Sequence, residues 1–202
     1  MGSAERMKSL VKIIYTGEPK LVVLSAMSGT TDKLVNLNSL IQQNKKEEAV
    51  AELNLLTANY HSVINQLYAE KETLDSGNQL LRSIFNELNN QIANYKPAIS
   101  EKIILAQGEL LSTRLFQLLL TELKIKSALL LAPEFVKINL DGEPDLHFIK
   151  AEINKQLDLH NEFNLFITQG FICSKSDGNI DNLGRGGSDY TATLLGAAIT
   201  IS

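Results

Sequence analysis

Met7, Leu10, Val11 and Ile14 recur at helical spacing behind a candidate N-cap, Ser3, and Gly17 and Pro19 close the helix they predict. Residues 21–26 form a short apolar, β-branched run without alternation, as expected of a parallel strand covered on both faces. Gly29 follows, and Thr30 or Thr31 is placed to cap a helix that begins at Asp32. Between residues 45 and 97 the pattern changes. Leu53, Leu56, Tyr60, Val63, Ile64 and Leu67 make one stripe, and Leu81, Ile84, Phe85, Leu88, Ile92 and Tyr95 make a second. These predict two long amphipathic helices packed as a hairpin, with a break at Asp75-Ser-Gly77 and Pro97 closing the segment. The other reading of the stripes is a partner-binding surface.

Ser100 is placed to cap a helix from residue 101 to about 123. Its main stripe is Ile104, Gly108, Leu111, Leu115 and Leu118; a neighbouring face carries Leu105, Glu109, Ser112 and Phe116. Residues 128–132 predict a third buried strand, followed by Pro133 and an extended piece to Ile138. A turn over 139–144 and a connecting helix over 148–157 come next. Residues 163–172 predict a fourth buried strand, and residues 190–199 a last helix that is apolar nearly all round and should be covered by further layers. Strands alternating with helices imply an α/β fold with a mostly parallel sheet sandwiched by helices.

Composition narrows the function classes. The 202 residues are 44% hydrophobic and 21% charged, enough for one sizeable core or for part of a larger enzyme. A net charge of −4 argues against a nucleic-acid partner. No run approaches a membrane span and no leader pattern is present, which predicts a cytoplasmic protein. Cys173 is the single cysteine, so an internal disulfide and a cysteine-rich metal site are excluded; it reads as a small buried hydrophobe near a strand end. His61 reads as a helix residue, His147 and His160 as loop or surface residues, and no metal ligands are assigned.

Two stretches carry candidate chemistry. Around residues 184–190 (Gly-Arg-Gly-Gly-Ser-Asp-Tyr) a strand, a glycine turn and a helix start come together, with Ser188 and Asp189 as N-cap candidates. Backbone N–H groups and a positive dipole end converge there, a ready anion site, and Arg185 offers a planar fork to a carboxylate or phosphate. The alternative is a glycine-rich connection with Arg185 in water. Glu109 shares a face with apolar residues beside Gly108, where backbone can approach closely. A carboxylate held there needs a cation, which is either a ligand or an internal salt bridge.

Val22-Val-Leu-Ser-Ala-Met-Ser-Gly-Thr-Thr-Asp32, Gln107-Gly-Glu-Leu-Leu-Ser112, and Thr168-Gln-Gly-Phe-Ile172 with Leu183-Gly-Arg-Gly-Gly-Ser-Asp-Tyr-Thr-Ala192 resemble aspartokinase, of the amino-acid kinase superfamily. The resemblance covers nearly the whole chain, more loosely at the helical hairpin. The length of that hairpin is similar to the larger aspartokinases, including those fused to homoserine dehydrogenase. The resemblance implies phosphoryl transfer from ATP, with Mg²⁺, to the side-chain carboxylate of L-aspartate, in a homo-oligomer that feeds lysine, threonine and methionine biosynthesis. It further implies that Arg185 grips a substrate carboxylate and Glu109 holds the α-ammonium. Ser25 and Thr31 would orient the reacting end, and Phe171 would wall the pocket. Asp189 and the amides of Gly186, Gly187 and Ser188 would organise the side facing the phosphates and metal, with Arg185 and Asp189 the catalytic pair. The family's first strand, with its Lys-Phe-Gly-Gly-Thr-Ser ending, is expected before this chain, and the nucleotide-binding half and ACT domains after it. Their absence predicts absent or very low activity for these 202 residues. Cys173 stands where the family more often has glycine. Acetylglutamate, glutamate or carbamate kinases are the alternatives within the superfamily, and a non-catalytic lobe is the alternative outside it.

Overall fold

The computed structural model describes residues 2–97, 99–184 and 186–199. The first helix, α1 (Ala4–Ile14), is capped as its sequence predicts: Ser3 accepts the Arg6 N–H, and Met7, Val11 and Ile14 are buried. Strand β1 (Lys20–Leu24) leads into α2 (Thr30–Gln42), and α3 (Lys46–Leu67) and α4 (Lys71–Ala93) form the hairpin. Next come α5 (Ile99–Glu122), β2 (Ala128–Leu130), α6 (Ala132–Phe135) and α7 (Leu146–Leu159). The chain then runs through β3 (Leu165–Gln169), β4 (Ile172–Ser174), β5 (Ile180–Asn182) and α8 (Gly187–Ala198).

Three parallel strands form the main sheet in the order β1-β3-β2, and β4 and β5 form an antiparallel pair. The pleat of β3 divides the core. Leu165 and Ile167 face α1 to α5, while Phe166, between them, faces the cluster built with α6, α7 and α8. Every residue of β3 is buried, as befits the central strand. By contrast β1 is mostly half-buried, not covered on both faces, because it pairs with β3 alone among the described strands.

Helix α5 is the axis of the molecule, buried on nearly every face from Ile104 to Leu120. Contrary to the sequence expectation, it is long and apolar enough to cross a membrane. Some 67% of its most apolar stretch is buried inside the fold, which is the pattern of a core helix.

Several boundaries differ from the sequence pattern. The hairpin breaks at residues 68–70 rather than at Asp75-Ser-Gly77. Glu122 of α5 reaches across to accept the Ala69 and Glu70 N–H groups, which caps α4 from outside. Gly77 lies inside α4, where the Tyr68 ring packs so closely that a Cβ would sit 2.7 Å from it. Thr30, Thr31, Ser188 and Asp189 are not caps. Gly29 and Gly186, both left-handed at φ 76° and 75°, hold the N-cap positions, so α2 starts at Thr30 and α8 at Gly187. Ser100 lies in the first turn of α5, where its hydroxyl accepts the Lys96 N–H.

The extended piece expected after Pro133 is the short helix α6, with Pro133 in its first turn, and α7 begins at Leu146 behind an Asp145 cap. His147 therefore lies on a helix, exposed. The single strand expected over 163–172 is two strands, because Phe171 turns left-handed (φ 66°) and redirects the chain into the β4–β5 pair. The last helix buries Thr191, Leu194, Leu195 and Ala198, and exposes Ala192, Thr193, Gly196 and Ala197. Its outer face is small rather than uniformly apolar.

Candidate functional site

The carboxyl ends of β1 and β3 open into the two turns that the sequence marks. Their alignment follows from the register, which pairs Leu24 with Gln169, and continues beyond the strands where the Gly170 N–H donates to the Leu24 carbonyl at 2.9 Å. At this edge Gly170 meets the start of α8. A Cβ on Gly170 would lie 2.6 Å from the Ser188 Cα, and one on Gly187 would lie 3.0 Å from the Phe171 Cα. Only glycine allows the two backbones to approach this far. Thr191 completes the junction by accepting the Phe171 N–H and donating to the Gly187 carbonyl. The N-terminus of α8 is thereby fixed against the end of the central strand.

From the other side α5 brings Glu109. Its Oε1 accepts the Ala26 N–H at 3.2 Å, and Ser112, one turn on, donates to the Ser25 carbonyl at 2.9 Å. The close approach expected beside Gly108 is present: a Cβ there would lie 2.9 Å from the Ala26 Cβ. Glu109 is 3% exposed, and among the described residues Oε2 has no hydrogen-bond partner. Burial pushes its carboxyl up to about 7, against the opposing pull of the Ala26 N–H. Among the described residues no Lys, Arg or His pairs with it.

Two groups of contacts result: Glu109 and Ser112 of α5 hold the backbone at Ser25 and Ala26, and Phe171 and Gly170 pack against Gly187 and Ser188 at the start of α8, with the Gly170–Leu24 bond between them. Ser25 is exposed and Phe171 half-buried, with its ring against Gly187. Thr31 and Asp189 lie in the first turns of α2 and α8, both exposed, and the structure gives neither side chain a partner among the described residues. Gly186 is the α8 N-cap. Arg185 lies outside the described residues. Two helix N-termini, of α2 and α8, thus follow the turns at this edge, and both favour negative charge.

Several supporting residues escaped the sequence reading. Gln169 spans the edge: its Oε1 accepts the Ala132 N–H at 2.8 Å, and its Nε2 donates to Thr113, which donates in turn to the Glu109 carbonyl. Thr30 shares a buried 2.9 Å hydrogen bond with Tyr60 of the hairpin. A polar group inside an apolar stripe is the signal that could have singled out Tyr60 and Thr113. Among the described residues, concavities of about 360 and 450 Å³ lie away from this edge. One sits between the α1 end and Lys124, Lys126 and Glu162; the other lies between α4 and α5 beside Arg114.

Known proteins share this arrangement of elements. Residues 1–202 match the amino acid kinase family. The chain is 31% identical over 193 residues to lysine-sensitive aspartokinase 3 of Escherichia coli (strain K12), covering 94% of this chain and 42% of that protein. It is 28% identical over 205 residues to the aspartokinase of Chlamydia trachomatis serovar D, covering 97% and 43%. The crystal structure of E. coli aspartokinase III in complex with lysine and aspartate aligns with a TM-score of 0.80 at 28% identity, over 98% of this chain and 44% of that one. The same enzyme in complex with aspartate and ADP aligns with equal values. The chain spans less than half the length of these relatives. With its parallel sheet between helix layers and its full length matched, the chain belongs to the amino acid kinase family.

Proposed function

We propose that these residues form the amino-acid-binding part of an aspartokinase, which transfers the γ-phosphoryl group of ATP to the side-chain carboxylate of L-aspartate and gives 4-phospho-L-aspartate. The observation that carries this reading is the buried Glu109 carboxylate, half unpartnered, at a sheet edge from which two helix N-termini depart. A zwitterionic amino acid with a second carboxylate suits that charge pattern. Its ammonium supplies the cation that Glu109 lacks among the described residues, and its carboxylates favour the positive helix ends. The nucleophile is already ionised at neutral pH, so no general base is required. The protein's task is positioning.

In this reading Arg185 grips the α-carboxylate, and Ser25 and Thr31 orient the reacting end. Phe171 walls the pocket. Asp189, with the amides of Gly186, Gly187 and Ser188, faces the phosphates. The aspartate and ADP bound by the E. coli relative support this choice of substrates. Magnesium would neutralise phosphate charge when bound. Among the described residues no cluster of three His, Cys, Asp or Glu side chains fits it.

Calorimetry with L-aspartate, D-aspartate and L-glutamate tests the proposal. L-Aspartate should bind and the other two should bind far more weakly. Glu109→Gln should weaken L-aspartate by roughly thirtyfold or more, since losing one partner of a buried charged contact costs about 2–5 kcal/mol. Equal heats for the three ligands, or an unaltered affinity in the variant, would remove Glu109 and this edge from amino-acid recognition.

A further inference from the structure

We infer that Tyr60, delivered from the helical hairpin, is a positioning residue for the turn over residues 27–31. The inference rests on the amino-acid site proposed above and assigns the hairpin a part in it. Tyr60 is 2% exposed, on the buried face of α3, and its ring packs edge-on against Phe85 of α4 at 6.3 Å between centroids. The hairpin core therefore fixes the ring. Its hydroxyl extends beyond that core to Thr30, at 2.9 Å.

Thr30 is held from three directions. Its N–H closes the turn onto the Met27 carbonyl at 2.9 Å, its methyl packs beside Gly108 of α5, and its hydroxyl meets Tyr60. A threonine at a helix start ordinarily turns its hydroxyl back to the local backbone as a cap. Here α2 has no side-chain cap at all, and the hydroxyl is committed to a residue of a separate helix. The neighbours of Thr30 have the opposite character: Ser28, Gly29 and Thr31 are exposed. The turn thus stands on two buried residues, the apolar Met27 and the hydrogen-bonded Thr30, and the groups it offers to a ligand are set by where Thr30 is held. The same Gly108 that receives the Thr30 methyl precedes Glu109, so the hairpin, the turn and the buried carboxylate meet at one place. Burial pushes the Tyr60 hydroxyl up to about 12, the Thr30 bond opposes this, and the Glu109 charge adds to it. The hydroxyl stays protonated and keeps its donor through the neutral range.

The test compares Tyr60→Phe, Thr30→Val, their double variant and Thr30→Ser in the 202-residue chain, by amide hydrogen exchange and by L-aspartate calorimetry. A single hydrogen bond of ordinary strength corresponds to about fivefold in an equilibrium. Tyr60→Phe and Thr30→Val should each speed exchange at the Thr30 and Lys33 amides about fivefold and weaken L-aspartate by a similar factor. The amides of α4 should be unmoved. The double variant should be no worse than either single one, and Thr30→Ser, which keeps the hydroxyl, should stay close to the parent. Unchanged exchange at the turn, or a lower melting temperature with unaltered affinity, would overturn the inference. Exchange is read without ligand, so a parent chain that binds no amino acid would count against the substrate reading alone.

Discussion

The Glu109 carboxylate accepts the Ala26 N–H across 83 positions of sequence, at 3.2 Å, and that bond ties the central helix to the turn after the first strand. The second oxygen of the same carboxylate is buried without a hydrogen-bond partner among the described residues. One residue is therefore both a tertiary link and a buried acid with an oxygen left over among the described residues. An apolar side chain at position 109 would serve the packing and not the link.

This arrangement predicts a pH-dependent stability. Glu109 titrates near 4.5 when unfolded and at about 7 when folded. Between those values the unfolded chain has released a proton that the folded chain retains. Stability from this group is thus full below pH 4.5 and is lost as pH rises toward 7, by about 3 kcal/mol in all at about 1.36 kcal/mol per pH unit. Urea unfolding at several pH values should show this loss in the parent, and the difference between parent and Glu109→Gln should follow the same slope. Parallel stability curves for the two proteins would refute it.

Gly170 and Gly196 should respond to alanine with opposite signs. At Gly170 the new Cβ meets backbone at 2.6 Å and α8 must shift, at a cost of about 1–3 kcal/mol. At Gly196, within α8, the Cβ meets nothing within 4 Å, and the gain in helix propensity should stabilise by about 0.5–1 kcal/mol. Denaturant midpoints of Gly170→Ala and Gly196→Ala, compared with the parent, provide the check.

Gln169→Leu should destabilise although it places an apolar residue at a fully buried position. The change strands the Ala132 N–H and removes a bond to the Thr113 hydroxyl. An orphaned buried donor costs about 1–3 kcal/mol. A variant as stable as the parent by urea titration would show that water or a neighbour satisfies Ala132 instead.

Cys173 should be inert in the folded protein. It is fully buried in β4, and burial first, then the Asp181 charge, pushes its thiol up to about 12, with Lys102 and Lys175 opposing. At pH 8 the thiolate fraction is on the order of 10⁻⁴ even before access is considered. A colorimetric disulfide reagent should react only after denaturant is added. Rapid reaction with the native chain would show that β4 opens readily.

The helical stripes were legible in the sequence because a 3.6-residue period is a local property. Each of Leu53, Leu56, Tyr60, Ile64 and Leu67 is buried on the face that their spacing defined. The α/β class and the places of β1, β2 and β3 followed from short apolar runs, whereas β5 and the split at Phe171 did not. The motifs around Gly29, Glu109 and Gly186 could also be marked in advance, since glycine turns and a lone acid on an apolar face are visible in one dimension.

Which group satisfies which partner was decided only in three dimensions. The cap of α4 is Glu122, more than fifty residues away, and the hydroxyl expected to cap α2 bonds Tyr60 instead. The strand expected to continue to Ile172 ends at Gln169, because the chain must leave the sheet where α8 packs against Gly170. Periodicity reports which face of an element is apolar, so it determined the long helices, their buried faces and the fold class, but not α6 or the β4–β5 pair. Hydrogen bonds and close backbone contacts join positions whose proximity depends on the whole chain, and for that reason the caps, the order β1-β3-β2 and the meeting of Glu109 with the turn at Ala26 belong to the tertiary structure alone.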